Sequence, residues 1–248
     1  MPKSNPSKRC ASRYLVLVAL VSAALGTLAG CELAAKGQNS EGVRMFQQAY
    51  YQGALERFQQ AIQTDPKNAD GYYNLAATYH RLGKLHSSKA EFDQAESYYN
   101  QCLDRNHDHQ DCHRGLAVLL TEQGRSQEAF RLLQGWSERS PTLAGPKIEL
   151  ARLSEETGNR DAAKQYLVEA VAADPANASA LAALGKLREE AGSTAQALAD
   201  YQRSLAINRF QPELAARAAM LQSALSPAPL VAPGGTTQMA TSPTVPRR

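Results

Sequence analysis

Histidine, cysteine and aspartate, residue types that bind transition metals, are concentrated in one short segment of this sequence. Three of the five histidines, His107, His109 and His113, fall within seven residues, with Cys112 among them and Cys102 shortly before. Imidazole combined with thiolate or carboxylate binds Zn, Cu or Ni, although this spacing matches no structural zinc pattern. The segment also lies between two predicted helices, where polar residues need no ligand to explain them. Two interpretations stay open, a metal- or redox-responsive module and a polar turn.

Other patterns that would indicate catalysis are absent from the sequence. There is no glycine-rich phosphate loop and no HExxH, GxSxG or CxxC motif. Neighbouring acids such as Glu155 and Glu156 point about 100° apart on a helix, so they do not make a catalytic pair. We therefore expect no enzymatic activity and no cofactor.

The N-terminal residues have the pattern of an export signal. Residues 1–13 carry four basic side chains and no acidic one, and residues 14–30 are uncharged and end in small side chains. This order is typical of a secretory signal peptide. The segment Leu28-Ala29-Gly30-Cys31 resembles the lipobox of bacterial lipoproteins. The resemblance implies cleavage before Cys31, lipid attachment to its thiol, and an exported protein anchored on the periplasmic or outer-surface face of a bacterial membrane. The alternative is an uncleaved anchor helix with an incidental cysteine.

Loss of this leader would change the charge and cysteine counts of the protein. The full chain has 27 basic and 24 acidic residues and a formal net charge of +3, but four of the basic residues belong to the leader. The remaining body is close to neutral, so we expect no nucleic-acid partner. Cys10 lies in the leader, which leaves Cys102 and Cys112 beside the lipidated Cys31. This pair is either a disulfide or two small buried residues.

The body of the chain repeats itself with a period of 34 residues. Three columns show the spacing: Gly124, Gly158 and Gly192; Leu116, Leu150 and Leu184; Ala129, Ala163 and Ala197. Within each unit, apolar residues recur at three- and four-residue steps, which indicates helices, and the glycine column suits the end of the first helix. A single helix hairpin cannot bury its apolar faces, so we predict stacked hairpins. Their units are 35–68, 69–109, 110–143, 144–177 and 178–211.

The columns of small and large residues resemble those of the tetratricopeptide repeat family over residues 35–211. The resemblance is best in segments 42–66, 71–85 and 181–208. It implies an all-α, right-handed superhelical solenoid of about five helix hairpins with a capping helix at its C-terminal end. The predicted organisation is a signal peptide (1–30), a short tether (31–34), the solenoid with its capping helix (35–225) and a disordered proline-rich tail (226–248).

Three positions depart from the family pattern, and one segment is longer than expected. Ala49 stands where the first unit needs a turn glycine, His107 replaces a proline, and Trp136 occupies a normally small column and should widen the third hairpin. Seven extra residues fall between Gly83 and Ala95. They are either a tolerated surface insertion or an elongated hairpin, since Ser88-Lys89-Ala90-Glu91 matches a capping box.

In this family the first helices of successive repeats line a concave surface that binds segments of other proteins. The corresponding positions here are Tyr73, Asn74, His80, Arg81, Arg114, Glu122, Arg152, Glu156, Lys186 and Glu190. The far end of this groove is rich in acids, which either attract a basic segment or are simply solvated. The resemblance implies a membrane-anchored scaffold for other proteins in assembling a cell-envelope complex, such as a pilus or secretion apparatus. The alternative is the metal- or redox-responsive module at Cys102–His113.

The predicted lipid anchor is tested by the substitution Cys31→Ser. The serine hydroxyl cannot form the thioether to diacylglycerol, and two or three acyl chains supply the membrane affinity. We expect the variant to leave the membrane fraction when a producing bacterium is lysed and centrifuged. Unchanged membrane retention would contradict lipid anchoring and favour the uncleaved helix.

Overall fold

A computed structural model describes residues 32–226. Over that range the chain forms eleven α-helices and no β-strand. The signal peptide, Cys31 and residues 227–248 of the predicted tail lie outside the described residues. Helix α1 covers residues 32–47. The helices that follow are α2 (Tyr51–Thr64), α3 (Ala69–His86), α4 (Lys89–Arg105), α5 (Gln110–Glu122), α6 (Ser126–Arg139), α7 (Gly145–Glu156), α8 (Arg160–Ala173), α9 (Ala178–Glu190), α10 (Thr194–Ile207) and α11 (Pro212–Leu225). None of these helices is long and apolar enough to cross a membrane. Residues 32–34, which the sequence assigned to a tether, form the exposed first turn of α1.

The chain divides into two compact units, the first ending at Ala180 and the second starting at Leu181. In the first unit, helices α3 to α8 pack as antiparallel pairs, α3 with α4, α5 with α6 and α7 with α8. The first helix of each pair also contacts the first helix of the next, α3 with α5 and α5 with α7. The predicted all-α fold of stacked helix hairpins is therefore confirmed.

Small residues allow the helices of the first unit to approach closely. Ala95, Ala129 and Ala163 are all completely buried, because a larger side chain at these crossing points would push the hairpins apart. One such close approach is that of Gly115 on α5 to the ring of Tyr99 on α4. A Cβ atom at Gly115 would lie 2.5 Å from the ring carbon Cε1, which no side chain tolerates without moving the tyrosine.

Turn residues within the hairpins have left-handed backbone conformations. Gly124 and Gly158 end their helices with φ of +76° and +82°, where glycine carries no steric penalty. Ala49 takes the same conformation with φ of +60°. The missing turn glycine of the first repeat therefore leaves the turn geometry intact, and Ala49 accepts the local strain.

The seven extra residues lengthen both helices of the second hairpin. Helices α3 and α4 have 18 and 17 residues, whereas the other hairpin helices of the first unit from α2 onward have 12 to 14. The hydroxyl of Ser88 accepts a hydrogen bond from the backbone N–H of Glu91 and caps α4, as the sequence motif predicted. The side chain of Glu91 instead bonds to His86 at 2.9 Å. Stacked rings of Tyr79 and Tyr98, 5.6 Å apart, join the two long helices.

Trp136 is buried beside the start of α5. Its indole stacks on the ring of His113 at a centroid distance of 4.1 Å, and its N–H donates to the carboxylate of Asp108 at 2.8 Å. The hydroxyl of Ser140 donates to the same carboxylate oxygen. Gly145 of α7 makes room on the far side, since a Cβ there would lie 3.1 Å from the indole. Trp136 thus packs between repeats as well as within its own hairpin.

The second unit contains the rest of α9 together with α10 and α11. Arg188 of α9 pairs with the buried carboxylate of Asp200 on α10 at 2.6 Å. The hydroxyl of Tyr201 donates to Glu189, which also accepts from Arg217 of α11. The predicted final helix is present as α11 and starts at Pro212, a residue favoured in the first helical turn because its missing N–H needs no partner there.

The buried ring of His113 makes the stability of the protein depend on pH. Burial lowers the pKa of His113 to about 4. The hydrogen bond from its ring to the carbonyl of His107 acts in the opposite direction but is the weaker effect. The folded state therefore keeps His113 neutral, while the unfolded chain takes up a proton as the pH falls below about 6.5. Stability present above pH 6.5 should be lost progressively towards pH 4, by about 3 kcal/mol. Denaturant unfolding at several pH values measures this slope.

The control for this prediction is His113→Phe, which keeps a flat ring against Trp136 and removes the titrating group. The variant should show a clearly shallower loss of stability between pH 6.5 and 4 than the wild type. Equal slopes for the two proteins would contradict the assignment to His113.

Candidate protein-binding face

Hydrogen bonds between side chains join the first helices of neighbouring repeats in the first unit. The amide N–H of Asn74 on α3 donates to the side-chain oxygen of Asn39 on α1 at 2.9 Å. The ring of His109, just before α5, lies 3.0 Å from the carboxylate of Asp70 at the start of α3. We call the surface formed by α1, α3, α5 and α7 the inner face. Its residues are fixed to one another across repeat boundaries.

Glu122 connects α5 to α3 in the middle of the inner face. Its two carboxylate oxygens lie 2.9 Å from the ring nitrogen Nε2 of His80 and 2.7 Å from Nζ of Lys84. Burial would raise the pKa of Glu122, but the hydrogen bonds from Lys84 and His80 outweigh it, and the pKa is lowered. The carboxylate therefore stays charged and already has two cationic or polar partners.

Glu149 connects α7 to α5 and is completely buried. Its carboxylate lies 2.6 Å from Nη2 of Arg114 and 3.0 Å from Nε of Arg152, and the amide of Gln110 donates to it at 3.3 Å. The hydrogen bond to Glu149 raises the pKa of Arg114. Arg152 also pairs with Glu156. A buried carboxylate is stable only with such partners, so both arginines are held in place.

The part of the inner face nearest the N-terminus is more aromatic and more open. Tyr73 is half-buried and stacks on the ring of His109 at 5.8 Å. Arg81 is exposed, and its Nε lies 3.3 Å from the hydroxyl of Tyr51. Asn74 is half-buried and keeps hydrogen-bonding capacity beyond its bond to Asn39. These residues are the ones available to a bound segment.

The structure therefore sorts the predicted groove residues into two groups. Arg81, Tyr73 and Asn74 remain accessible, whereas five others are paired with charged side chains of the same or a neighbouring helix: His80, Arg114, Glu122, Arg152 and Glu156. Lys186 and Glu190 belong to the second unit, where they pair on α9 at 3.9 Å.

The expected acidic far end of the groove needs correction in the first unit. Glu149 and Glu156 are neutralised by Arg114 and Arg152, so these carboxylates do not act as free negative charges. Asp70, Lys84 and Gln110 were not among the predicted site residues. The sequence spacing could have identified them, because the hydrogen-bonded side chains of the inner face are 35 to 42 residues apart, about one repeat length.

The cysteine- and histidine-rich segment forms the turn between α4 and α5. Cys102 and Cys112 are completely buried and joined in a disulfide. His109 caps α5, since its ring nitrogen Nδ1 accepts from the backbone N–H of Cys112 at 3.3 Å. His107 is exposed, and His113 packs against Trp136. Of the three candidate histidine ligands, His109 alone is grouped with the two sulfurs in the described part of the chain.

Stacked helix hairpins with a continuous inner face define a helical-repeat protein of the protein-binding class. A family model described as "TPR repeat" matches residues 42–83, and two described as "Tetratricopeptide repeat" match residues 80–144 and 120–187. The chain belongs to the tetratricopeptide repeat family. Repeats of this family bind other proteins, and the chain is accordingly a protein-interaction scaffold.

Solved structures of three proteins illustrate the shared fold. A thermophilic tetratricopeptide repeat protein of Thermus thermophilus is 22% identical with a TM-score of 0.56, over 77% of this chain and 100% of its own. PilF of Pseudomonas aeruginosa is 18% identical with a TM-score of 0.53, over 78% and 86%. Yeast Tom70 is 19% identical with a TM-score of 0.61, over 77% of this chain and 40% of Tom70. No curated protein matches the chain by sequence.

The buried carboxylate of Glu149 should stabilise the first unit more than any exposed acid on the same helix. Glu149→Ala removes the partner shared by Arg114 and Arg152 and leaves a cavity, so we expect a loss of about 3 kcal/mol. The matched control is Glu156→Ala, which removes a partly exposed partner of the same arginine and should cost less than about 1 kcal/mol. Denaturant unfolding of both variants tests this, and equal losses would contradict the prediction.

Proposed function

We propose that this protein is a lipid-anchored scaffold that binds segments of other proteins during assembly of a bacterial envelope complex, such as a pilus or secretion apparatus. The observation that carries the proposal is the inner face of the first unit, where accessible groups lie beside a fixed network of side chains. The lipobox-like segment ending at Cys31 supports the membrane anchor.

The bonded part of the inner face supports binding by holding its shape in advance. His80, Lys84 and Glu122 fix α3 against α5, and Glu149 fixes α5 against α7. A partner then does not have to order these long side chains, whose immobilisation would each cost about 0.5–1.5 kcal/mol. The network acts as the rigid floor of the binding face.

The accessible part of the inner face offers groups suited to an extended segment. Asn39 and Asn74 can bond to main-chain amides and carbonyls, which every peptide carries. Tyr73 presents an aromatic ring, and Arg81 presents an exposed guanidinium. We infer that the bound segment contacts α1 and α3 first and that its side chains face Tyr73 and Arg81.

The proposed anchor sits directly beside the first repeat. Glu32, the residue after Cys31 and the first that the structure describes, is already helical and pairs with Lys36 at 2.7 Å. A lipid on Cys31 would therefore keep the first repeat close to the membrane surface. Partners recruited there would be those with segments near the bilayer.

A photoreactive residue placed at Arg81 tests the binding face. The matched control is the same residue at Gln94, an exposed position on α4 of the same hairpin, which packs its other side against α3. After irradiation of cells, we expect discrete protein adducts from position 81 and none from position 94, identified by mass spectrometry. Adducts from position 94 alone would contradict binding through the inner face.

A further inference from the structure

Three potential metal ligands meet at the turn between the second and third repeats. One ring nitrogen of His109 and the sulfur atoms of Cys102 and Cys112 all lie within 4.8 Å of one another. Cys102 comes from the last turns of α4, His109 from the turn, and Cys112 from the first turn of α5. Three separate pieces of backbone therefore direct soft ligand atoms to a common point.

The ring of His109 is oriented as a metal-bound histidine usually is. Its nitrogen Nε2 lies 3.0 Å from the carboxylate of Asp70, and its face stacks on Tyr73. A carboxylate at this position favours the proton on Nε2 and leaves the lone pair on Nδ1, which is the usual arrangement behind a ligating histidine. Nδ1 faces the start of α5, where it now accepts from the N–H of Cys112. A metal would take this lone pair in exchange for that 3.3 Å bond.

We propose that Cys102, His109 and Cys112 bind one Cu⁺ ion when the cysteines are in the dithiol form. Thiolate ligands favour both Cu⁺ and zinc, but a zinc ion held by only three protein ligands needs a water molecule as its fourth. Neither His107, which is exposed, nor His113, which packs against Trp136, is grouped with the two sulfur atoms. The three converging groups give a two-sulfur, one-nitrogen set, which completes the coordination of a Cu⁺ ion without a fourth ligand.

Metal binding and the disulfide exclude each other, because both use the same two sulfur atoms. A dithiol reductant opens the bond through a mixed disulfide and transfers two electrons and two protons. The products are the thiols of Cys102 and Cys112 and the disulfide of the reductant. A newly synthesised chain is already in this dithiol form. Cu⁺ then displaces the two thiol protons to solvent, so the redox state of the pair decides whether the site exists.

Contacts other than the disulfide hold both helix ends against α3. The guanidinium of Arg105, at the end of α4, lies 3.7 Å from the centre of the Tyr72 ring and donates to the carbonyl of Pro66 at 2.9 Å. The ring of His109, just before α5, lies 3.0 Å from the carboxylate of Asp70. The ring of Tyr99 packs on Gly115 across the α4–α5 junction. We therefore expect the reduced protein to retain the arrangement that brings the ligands together.

The test is Cu⁺ titration of the full chain in detergent without oxygen, against a chromophoric Cu⁺ chelator. Cys10→Ser and Cys31→Ser are present throughout, so that Cys102 and Cys112 are the only thiols. We expect one Cu⁺ per reduced chain and none for the oxidised chain. His109→Asn keeps a residue that caps helices well but removes the imidazole, and it should weaken binding at least tenfold. Asp70→Asn should weaken it about 10- to 100-fold.

His107→Ala is the matched control, since it removes an exposed histidine from the same turn and should leave the affinity unchanged. Circular dichroism of each reduced variant shows that the helices are intact. The proposal is overturned if the reduced chain binds no Cu⁺, if it takes up Zn²⁺ but not Cu⁺, or if folded His109→Asn binds as tightly as the parent.

Discussion

Each helix hairpin of the first unit has more apolar surface than its two helices can bury between themselves. The surplus is covered by the next hairpin, and this dependence explains most of what the structure shows. Ala95, Ala129 and Ala163 are completely buried because the helices must come close. Gly115 has no side chain because the ring of Tyr99 from the preceding repeat occupies the space. Polar side chains follow the same rule, since Asn74, Glu122 and Glu149 all reach across a repeat boundary to find their partners. Two kinds of contact therefore hold neighbouring repeats together: apolar burial in the interior of the stack and hydrogen bonds on its inner face.

The sequence predicted the architecture well because the same residue type recurs at the same position of successive repeats, and this recurrence is more informative than any single residue. One glycine or alanine says little about a fold, but Gly124, Gly158 and Gly192 at equal spacing define where hairpins turn. Ser88 was also informative, because helix capping depends on residues three positions apart and needs no tertiary information. Ala49 shows the limit of such rules, since it takes a left-handed conformation that its type disfavours. Backbone hydrogen bonds from Ala49 to Phe46 and from Tyr50 to Met45 close the turn despite this preference.

The state of individual side chains on the inner face was harder to predict. Family columns placed His80, Glu122 and Arg152 on the correct helices but could not show that each is paired within the protein. Glu149 is the clearest example, because a glutamate in a charged stretch gives no sign that it is completely buried. Its burial depends on Arg114, 35 residues away, and on the angle between α5 and α7. Likewise, the sequence could not separate His109 from His107 and His113, since only the path of the turn directs one ring towards the sulfurs and another towards Trp136.

The disulfide between Cys102 and Cys112 crosses the boundary between the second and third repeats rather than lying within a hairpin. In a stack where each repeat contacts only its neighbours, a repeat at either end can unfold while the others stay folded. A covalent link across one boundary keeps the two repeats that it joins from separating. The repeats before α3 and after α6 can unfold locally while the linked pair of repeats stays together, and both ends can then refold onto that pair.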